Sequence, residues 1–439
     1  MPLKLPDWIN TSIWRHILTL VSGSGLAQVI TLFSLPILTR LYQPEEFGIL
    51  AVFLAALAVM TVAINGGYDM ALMLPEKDEE ARSILLLCIQ VALIGSLVWG
   101  ILSSIFSKYF LTLLDIERMA PWHHMLAGSL LLEGLSQPLR IYLSRLQKYK
   151  VIALSKILRS SLQAVVSIGL GIKGYLFEGL IMGFLIGQFS GLIPLVLSYL
   201  RRDRTASESL ATISSLARKY KDFPQFALIA NWLNNASRYL PFFFIPILFS
   251  ELGSGEEING WFQKADQVLT LPIVLVSMSI GTVFFERGAK AFQTGIAPLK
   301  KLTRQTLIQL ILLGLPFLLI IMIFAPELFS WVLGEEWEEA GRYARWLMPW
   351  FYLIFITSPL SWLVDIRRKL KVMLWISLIF FFFRAGIFLL WQENDVLSLI
   401  QSYGMMNVFL VLGQLMYYLH LGGILFDEPK HPLGPTSQS

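Results

Sequence analysis

Apolar residues come in runs of about 20, the length a helix needs to cross about 30 Å of hydrocarbon at 1.5 Å per residue, and polar residues collect in the short stretches between. Twelve runs predict membrane-spanning helices at 17–38, 47–65, 83–106, 119–138, 157–173, 176–200, 225–249, 261–285, 302–325, 343–363, 372–391 and 396–419. The first is longer than a signal-peptide core and no small-residue cleavage site follows it, so it reads as a retained helix. In the sixth, Gly179, Gly183, Gly187 and Gly191 recur every four residues and leave a groove along one face. Such a groove admits another helix at close range, for static packing or for a contact that slides.

With 55% hydrophobic and 15% charged residues the chain is excluded from the ordinary soluble class. The net charge of +5 raises the question of nucleic acid. Position answers it: 23 Lys and Arg fall in the even-numbered connections and 6 in the odd-numbered ones. That asymmetry predicts an inner-membrane protein with both termini cytoplasmic and no nucleic-acid partner. A lone cysteine, Cys88, excludes disulfides and thiolate zinc sites. The five histidines include no pair at metal-ligand helical spacing, and there is neither a Walker loop nor a G-x-S-x-G elbow, so no enzyme, cofactor or metal site is expected.

The basic, Ser/Thr-rich stretch 201–224 lies almost centrally and separates an N-terminal six-helix lobe, 1–200, from a C-terminal one, 225–420, with a tail at 421–439. The halves echo each other. Pro36-Ile37-Leu38 leads to Glu45-Glu46 and Gly48, and Pro246-Ile247-Leu248 leads to Glu256-Glu257 and Gly260. With an even number of spans per half, the two copies share an orientation, as in parallel-repeat transporters.

Polar residues at membrane depth are costly, so each is a candidate for lining a wet cavity. Arg238 lies about eleven residues, roughly 16 Å, from the outer end of the seventh span, and Asn231, Asn234 and Asn235 share its face. This stripe suits a cavity wall or an interhelical hydrogen-bonded knot. Lys264, with Asp266, lies near the start of the eighth span, where snorkelling is the plain explanation, and Gln267 and Thr270 continue inward. Arg384 in the eleventh span is open to either reading. Glu133, Gln137 and Arg140 share a face and are expected to satisfy one another. Gln28 with Ser24 and Thr31, and Asn407 with Gln414, mark faces of the first and twelfth spans.

Seven segments stand out: Leu20 to Gln28 (LVSGSGLAQ), Pro36 to Gly48 (PILTRLYQPEEFG), Tyr68 to Pro75 (YDMALMLP), Asp222 to Pro224, Gly334 to Trp337 (GEEW), Pro349-Trp350 and Ser358 to Ser361. Together they resemble the Wzx-type oligosaccharide flippases of the superfamily that holds the lipid II flippase and the MATE exporters. The resemblance runs nearly end to end. It implies an all-α membrane protein of about twelve helices in two lobes around a central cavity, working by alternating access. The implied cargo is an undecaprenyl-pyrophosphate-linked oligosaccharide for O-antigen or other surface polysaccharide, with membrane lipids and other polysaccharide assembly proteins as partners. The substrate-binding candidates are then Arg238, Asn231, Asn234, Asn235, Lys264, Gln267, Arg384 and Gln28. Two other readings are a MATE-like cation-coupled exporter, which calls for a carboxylate in the first-half cavity, and a membrane glycosyltransferase or polymerase, which calls for catalytic carboxylates and a large outer loop.

Overall fold

The computed structural model describes residues 12–113, 122–201, 210–221, 228–367, 369–393 and 395–425, and every regular element among them is helical. The N-terminal half carries α1 (Ser12–Leu41), α2 (Pro44–Ile64), α3 (Asp78–Leu113), α4 (His124–Arg145), α5 (Tyr149–Ile172), α6 (Phe177–Leu200) and the short α7 (Leu210–Lys219). Beyond it come α8 (Leu228–Leu248), α9 (Gly255–Pro272), α10 (Met278–Thr294), α11 (Ile296–Leu333), α12 (Glu338–Leu360), α13 (Trp362–Ile366), α14 (Leu370–Leu389) and α15 (Val396–Leu421). Nine described helical runs are long and apolar enough to cross a membrane, and Gly25–Leu41 is a shorter apolar helix.

The boundaries differ from the hydropathy reading where charge intrudes. The fourth and fifth spans were expected at 119–138 and 157–173, yet α4 runs on to Arg145 and α5 begins at Tyr149. The added turns hold Arg140, Arg145 and Lys156, and the two arginines are paired, Arg140 to the largely buried Glu133 and Arg145 to Asp78 at the surface. A window that scores charge as solvent-seeking stops too early there. The eighth span is broken: α9 ends at Pro272 and a π-helical turn, Ile273–Ser277, leads into α10. Proline lacks the N–H that would continue the ladder, and a wider turn absorbs the register change.

The chain divides into two compact units, Met1–Gln263 with Leu328–Glu338, and Lys264–Glu327 with Glu339–Ser439. In the first unit the glycine ridge of α6 lies on α5. A Cβ at Gly183 would meet the Gln163 carbonyl at 2.9 Å, one at Gly187 the Arg159 carbonyl at 2.8 Å, and one at Gly191 the Ser155 carbonyl at 3.1 Å. Lipid tails are as apolar as side chains, so backbone proximity of this kind supplies the dispersion energy that holds membrane helices together. Gly179 gives way to the Tyr42 hydroxyl, which donates to the Ser167 carbonyl at 2.6 Å.

The two echo segments meet in this unit. A Cβ on Gly48 would strike the Glu256 carbonyl, and one on Gly260 would strike the Pro44 carbonyl; each obstacle stands four residues before the other glycine. The contact is therefore reciprocal. Asn259, fully buried, ties it by donating to the carbonyls of Gly48 (2.9 Å) and Phe242 (3.3 Å). Nearby Trp337 is buried, with its indole N–H on the Thr39 carbonyl (3.0 Å) and its ring edge-on to Phe47.

Part of the 201–224 stretch forms α7, which docks on the first unit. Leu216 enters the core, Tyr68 donates to the Ala217 carbonyl (3.4 Å), and Glu80 accepts from Lys219 (2.5 Å) and Tyr220 (3.1 Å). Residues 202–209 and Asp222 to Pro224 of that stretch, and the tail beyond 425, lie outside the described residues, as do the first eleven. In the second unit, Ser277 from the π turn donates to the Phe355 carbonyl (2.8 Å), and Gly341 lets α12 approach the backbone at Ala325 and Pro326.

Candidate functional site

α8 carries Pro241 and Pro246, and the polar residues occupy the two turns before the first of them. Asn231, Asn234 and Arg238 are exposed and Asn235 half-exposed, whereas Ala236 and Ser237 on the opposite side are buried. The offsets of three, four and seven thus put the polar set on one open face and the small residues against the protein. Asn235 donates to the Asn231 carbonyl at 3.0 Å within its own helix. Asn231 reaches the Met70 sulfur at 3.7 Å, which brings the foot of the stripe beside the short helix Tyr68–Met73.

That short helix holds a carboxylate that sequence reasoning did not single out. Asp69 is buried and accepts from Gln137 Nε2 at 2.7 Å. Burial pushes its carboxyl above the ordinary range, against the lowering effect of the Gln137 bond and of backbone N–H groups. Asn65 braces the same region through the carbonyls of Gly134 (2.8 Å) and Cys88 (3.2 Å). The signal available in the sequence was an acidic residue between two turn glycines, Gly66 and Gly67, and an apolar run, which reads as an ordinary loop charge.

Gln137 therefore turns to Asp69 and not to its helix neighbours. Glu133 is satisfied by Arg140 (2.5 Å), by Arg159 from α5 (2.9 Å) and by Gln188 from α6 (3.4 Å), and the Arg159 guanidinium lies over the Phe184 ring. The carboxylate is held between two guanidinium groups, an arrangement in which each ion offsets the desolvation of the other.

Lys264 does not snorkel. It is 2% exposed, and its ammonium donates inward along α9 to Gln267 Oε1 at 3.2 Å. Arg384 is 5% exposed in the second unit, its Nε on Asn407 Oδ1 at 2.7 Å and its guanidinium between the rings of Trp350 and Phe380 at 5.5 and 5.1 Å. Asn407 in turn donates to the Tyr403 carbonyl at 2.8 Å. Gln28 is half-exposed on α1. The α8 residues thus form one continuous face, while Lys264 with Gln267, Arg384 with Asn407, and Gln28 each have their own local setting. Among the described residues no three His, Cys, Asp or Glu side chains converge as a metal site.

Comparison with known proteins bears on this arrangement. The sequence profile of the family described as polysaccharide biosynthesis protein matches residues 37–342. No curated protein matches. Among solved structures, a multidrug resistance MATE family transporter of the MOP superfamily in an inward-facing conformation superposes with a TM-score of 0.69 at 14% identity, covering 92% of this chain and 95% of that one. The lipid II flippase MurJ in an inward closed conformation gives 0.61 at 14% identity and 90% of both chains. A MOP superfamily transporter from Pyrococcus furiosus, described as having a binding pocket of reversed polarity, gives 0.58 at 14% identity over 93% and 96%. At such identities the likeness is one of fold.

Proposed function

Because the chain belongs to the polysaccharide biosynthesis protein family, we propose that it flips undecaprenyl-pyrophosphate-linked oligosaccharide units from the cytoplasmic to the periplasmic leaflet of the bacterial inner membrane, for O-antigen or another surface polysaccharide. A pyrophosphate and several sugars cannot enter hydrocarbon unaided, whereas a prenyl tail can stay in lipid. The task thus needs a polar route through a twelve-span, two-lobed protein that alternates its access, with both termini cytoplasmic and a fold of the MATE and MurJ kind.

The observation that carries this reading is the exposed face Asn231, Asn234, Asn235 and Arg238 on α8. A solvent-exposed arginine and three amides at this depth would be expensive against lipid, and they are the groups that bind a pyrophosphate and sugar hydroxyls. Arg238 supplies the charge and the asparagines the hydrogen bonds; Lys264, Gln267, Arg384 and Gln28 belong to the wider substrate-binding set. A cation-coupled exporter needs a carboxylate available to a cation; Glu133 is engaged by two arginines, and Asp69 is buried with Gln137 donating to it.

The test is complementation of surface polysaccharide in a deletion strain, with membrane protein quantified in parallel. Arg238→Lys keeps partial function, since an ammonium retains the charge but loses the bidentate fork. Arg238→Gln and Arg238→Glu lose transport progressively while remaining in the membrane. A stably inserted glutamate variant with wild-type polysaccharide overturns the assignment. Variants that all fail to accumulate make Arg238 a structural hub.

A further inference from the structure

Where α4 ends, α5 begins and α6 ends, the first unit has an open groove of about 670 Å³. Its floor includes Leu146, Val151, Leu154 and Leu197, and Lys148 and Arg201 are part of its lining. Lys148 immediately precedes the apolar run Tyr149–Ile172, and Arg201 immediately follows the run Phe177–Leu200. These two helices are antiparallel neighbours along the glycine ridge, so both cations stand at one membrane boundary, the one where the chain's Lys and Arg concentrate. Gln147, at φ +57°, turns the chain between α4 and α5, and both Lys148 and Arg201 are exposed. One to two turns inward, Leu154 and Leu197 are 48% and 46% exposed, an apolar face at acyl-chain depth. Buried Tyr142 and Leu143 back the floor.

We propose that this groove is a binding site for one anionic phospholipid, with its phosphate between Lys148 and Arg201 and an acyl chain along Leu146, Val151, Leu154 and Leu197. Basic pockets between membrane helices on the cation-rich side recognise anionic headgroups, and each Lys or Arg near such a surface contributes enough for roughly a fivefold gain in affinity. A zwitterionic lipid carries its own ammonium beside the phosphate and gains little from two further cations. The site is separate from the α8 face and does not depend on what is transported.

The experiment titrates purified full-length protein in detergent with dioleoylphosphatidylglycerol and, in parallel, dioleoylphosphatidylcholine, and counts bound lipid by native mass spectrometry. The wild type retains one phosphatidylglycerol at least about tenfold more tightly than phosphatidylcholine. In the double variant Lys148→Gln, Arg201→Gln the preference falls to about threefold or less, and the single variants fall between. Leu154→Trp, which fills the floor and keeps the charges, weakens both lipids. The control Lys301→Gln, Arg304→Gln, which removes exposed cations elsewhere, behaves as wild type. Each variant is compared with wild type by size-exclusion profile, and the single variants serve if the double one does not fold. No headgroup preference in the wild type, or an equal loss in the control, overturns the proposal. Displacement of phosphatidylglycerol by undecaprenyl phosphate at a hundredth of its concentration also overturns it and gives the groove to a polyprenyl carrier.

Discussion

Replacing Gly183 by alanine tests how tightly the glycine ridge of α6 sits on α5. The added Cβ would meet the Gln163 carbonyl at 2.9 Å and the Ser167 nitrogen at 3.0 Å, besides the Ser167 hydroxyl. Two of these are backbone atoms of α5, so no rotamer change relieves the contact, and the helices must part by about half an ångström to restore a separation near 3.5 Å. A gap of that size forfeits about a quarter of each pair's attraction of about 0.1–0.2 kcal/mol, and over on the order of 50 atom pairs the loss is about 2 kcal/mol. Alanine returns about 1 kcal/mol through helix propensity, leaving a net destabilisation of about 1 kcal/mol. Gly413 on α15 has nothing within 4 Å of its Cβ position, so Gly413→Ala gains the propensity term alone. The two substitutions therefore shift the apparent melting temperature in opposite directions, by about 1 °C each, in detergent-purified protein followed by tryptophan fluorescence. Gly183→Leu additionally lowers the amount of folded protein in the membrane. A Gly183→Ala variant as stable as the Gly413→Ala variant refutes the close-packing argument.

Asn259→Ala removes donors to the buried carbonyls of Gly48 and Phe242, and a loss of about 2–3 kcal/mol is expected, read as a lower melting temperature; unchanged stability would mean water takes over both acceptors. Asp69 has its pKa raised by burial, so its protonated form favours the folded state: that stabilisation is full below the unfolded pKa near 4 and lost as pH rises through the folded value. Asp69→Asn keeps an acceptor for Gln137 without the charge, so it should melt higher than wild type at pH 8, with the gap closing toward pH 4; a gap that widens on acidification contradicts the burial argument. Arg384→Lys keeps the charge but cannot both span two rings and donate to Asn407, so its melting temperature should fall, and Arg384→Met, which leaves Asn407 Oδ1 unmet in the interior, should fall as well. Wild-type melting in both would show that the cradle contributes nothing.

The helical membrane character and the α6 ridge were legible in the sequence because they depend on local periodicity: twenty apolar residues suit a bilayer wherever they occur, and glycines four apart share a face in any helix. The one-faced set on α8 was readable for the same reason, and the quoted motifs that lie between Ile37 and Trp337 fall in the segment that the family profile matches. Partners distant in sequence were not readable. Arg159 meets Glu133 across helices, Gln137 turns to Asp69, and Asn407 receives Arg384, because each polar group takes whichever partner the neighbouring element brings within 3 Å or so. The echo between Gly48 and Gly260 was visible as a repeat, but that each glycine clears the backbone four residues before the other is a property of two helices crossing in space. The sequence alone decides which stretches prefer lipid and which faces they offer, since both depend on the residues of one helix. Which faces meet, and so which polar groups are buried against a neighbour and which stay exposed, depends on several helices packing at once, and only the tertiary structure decides it.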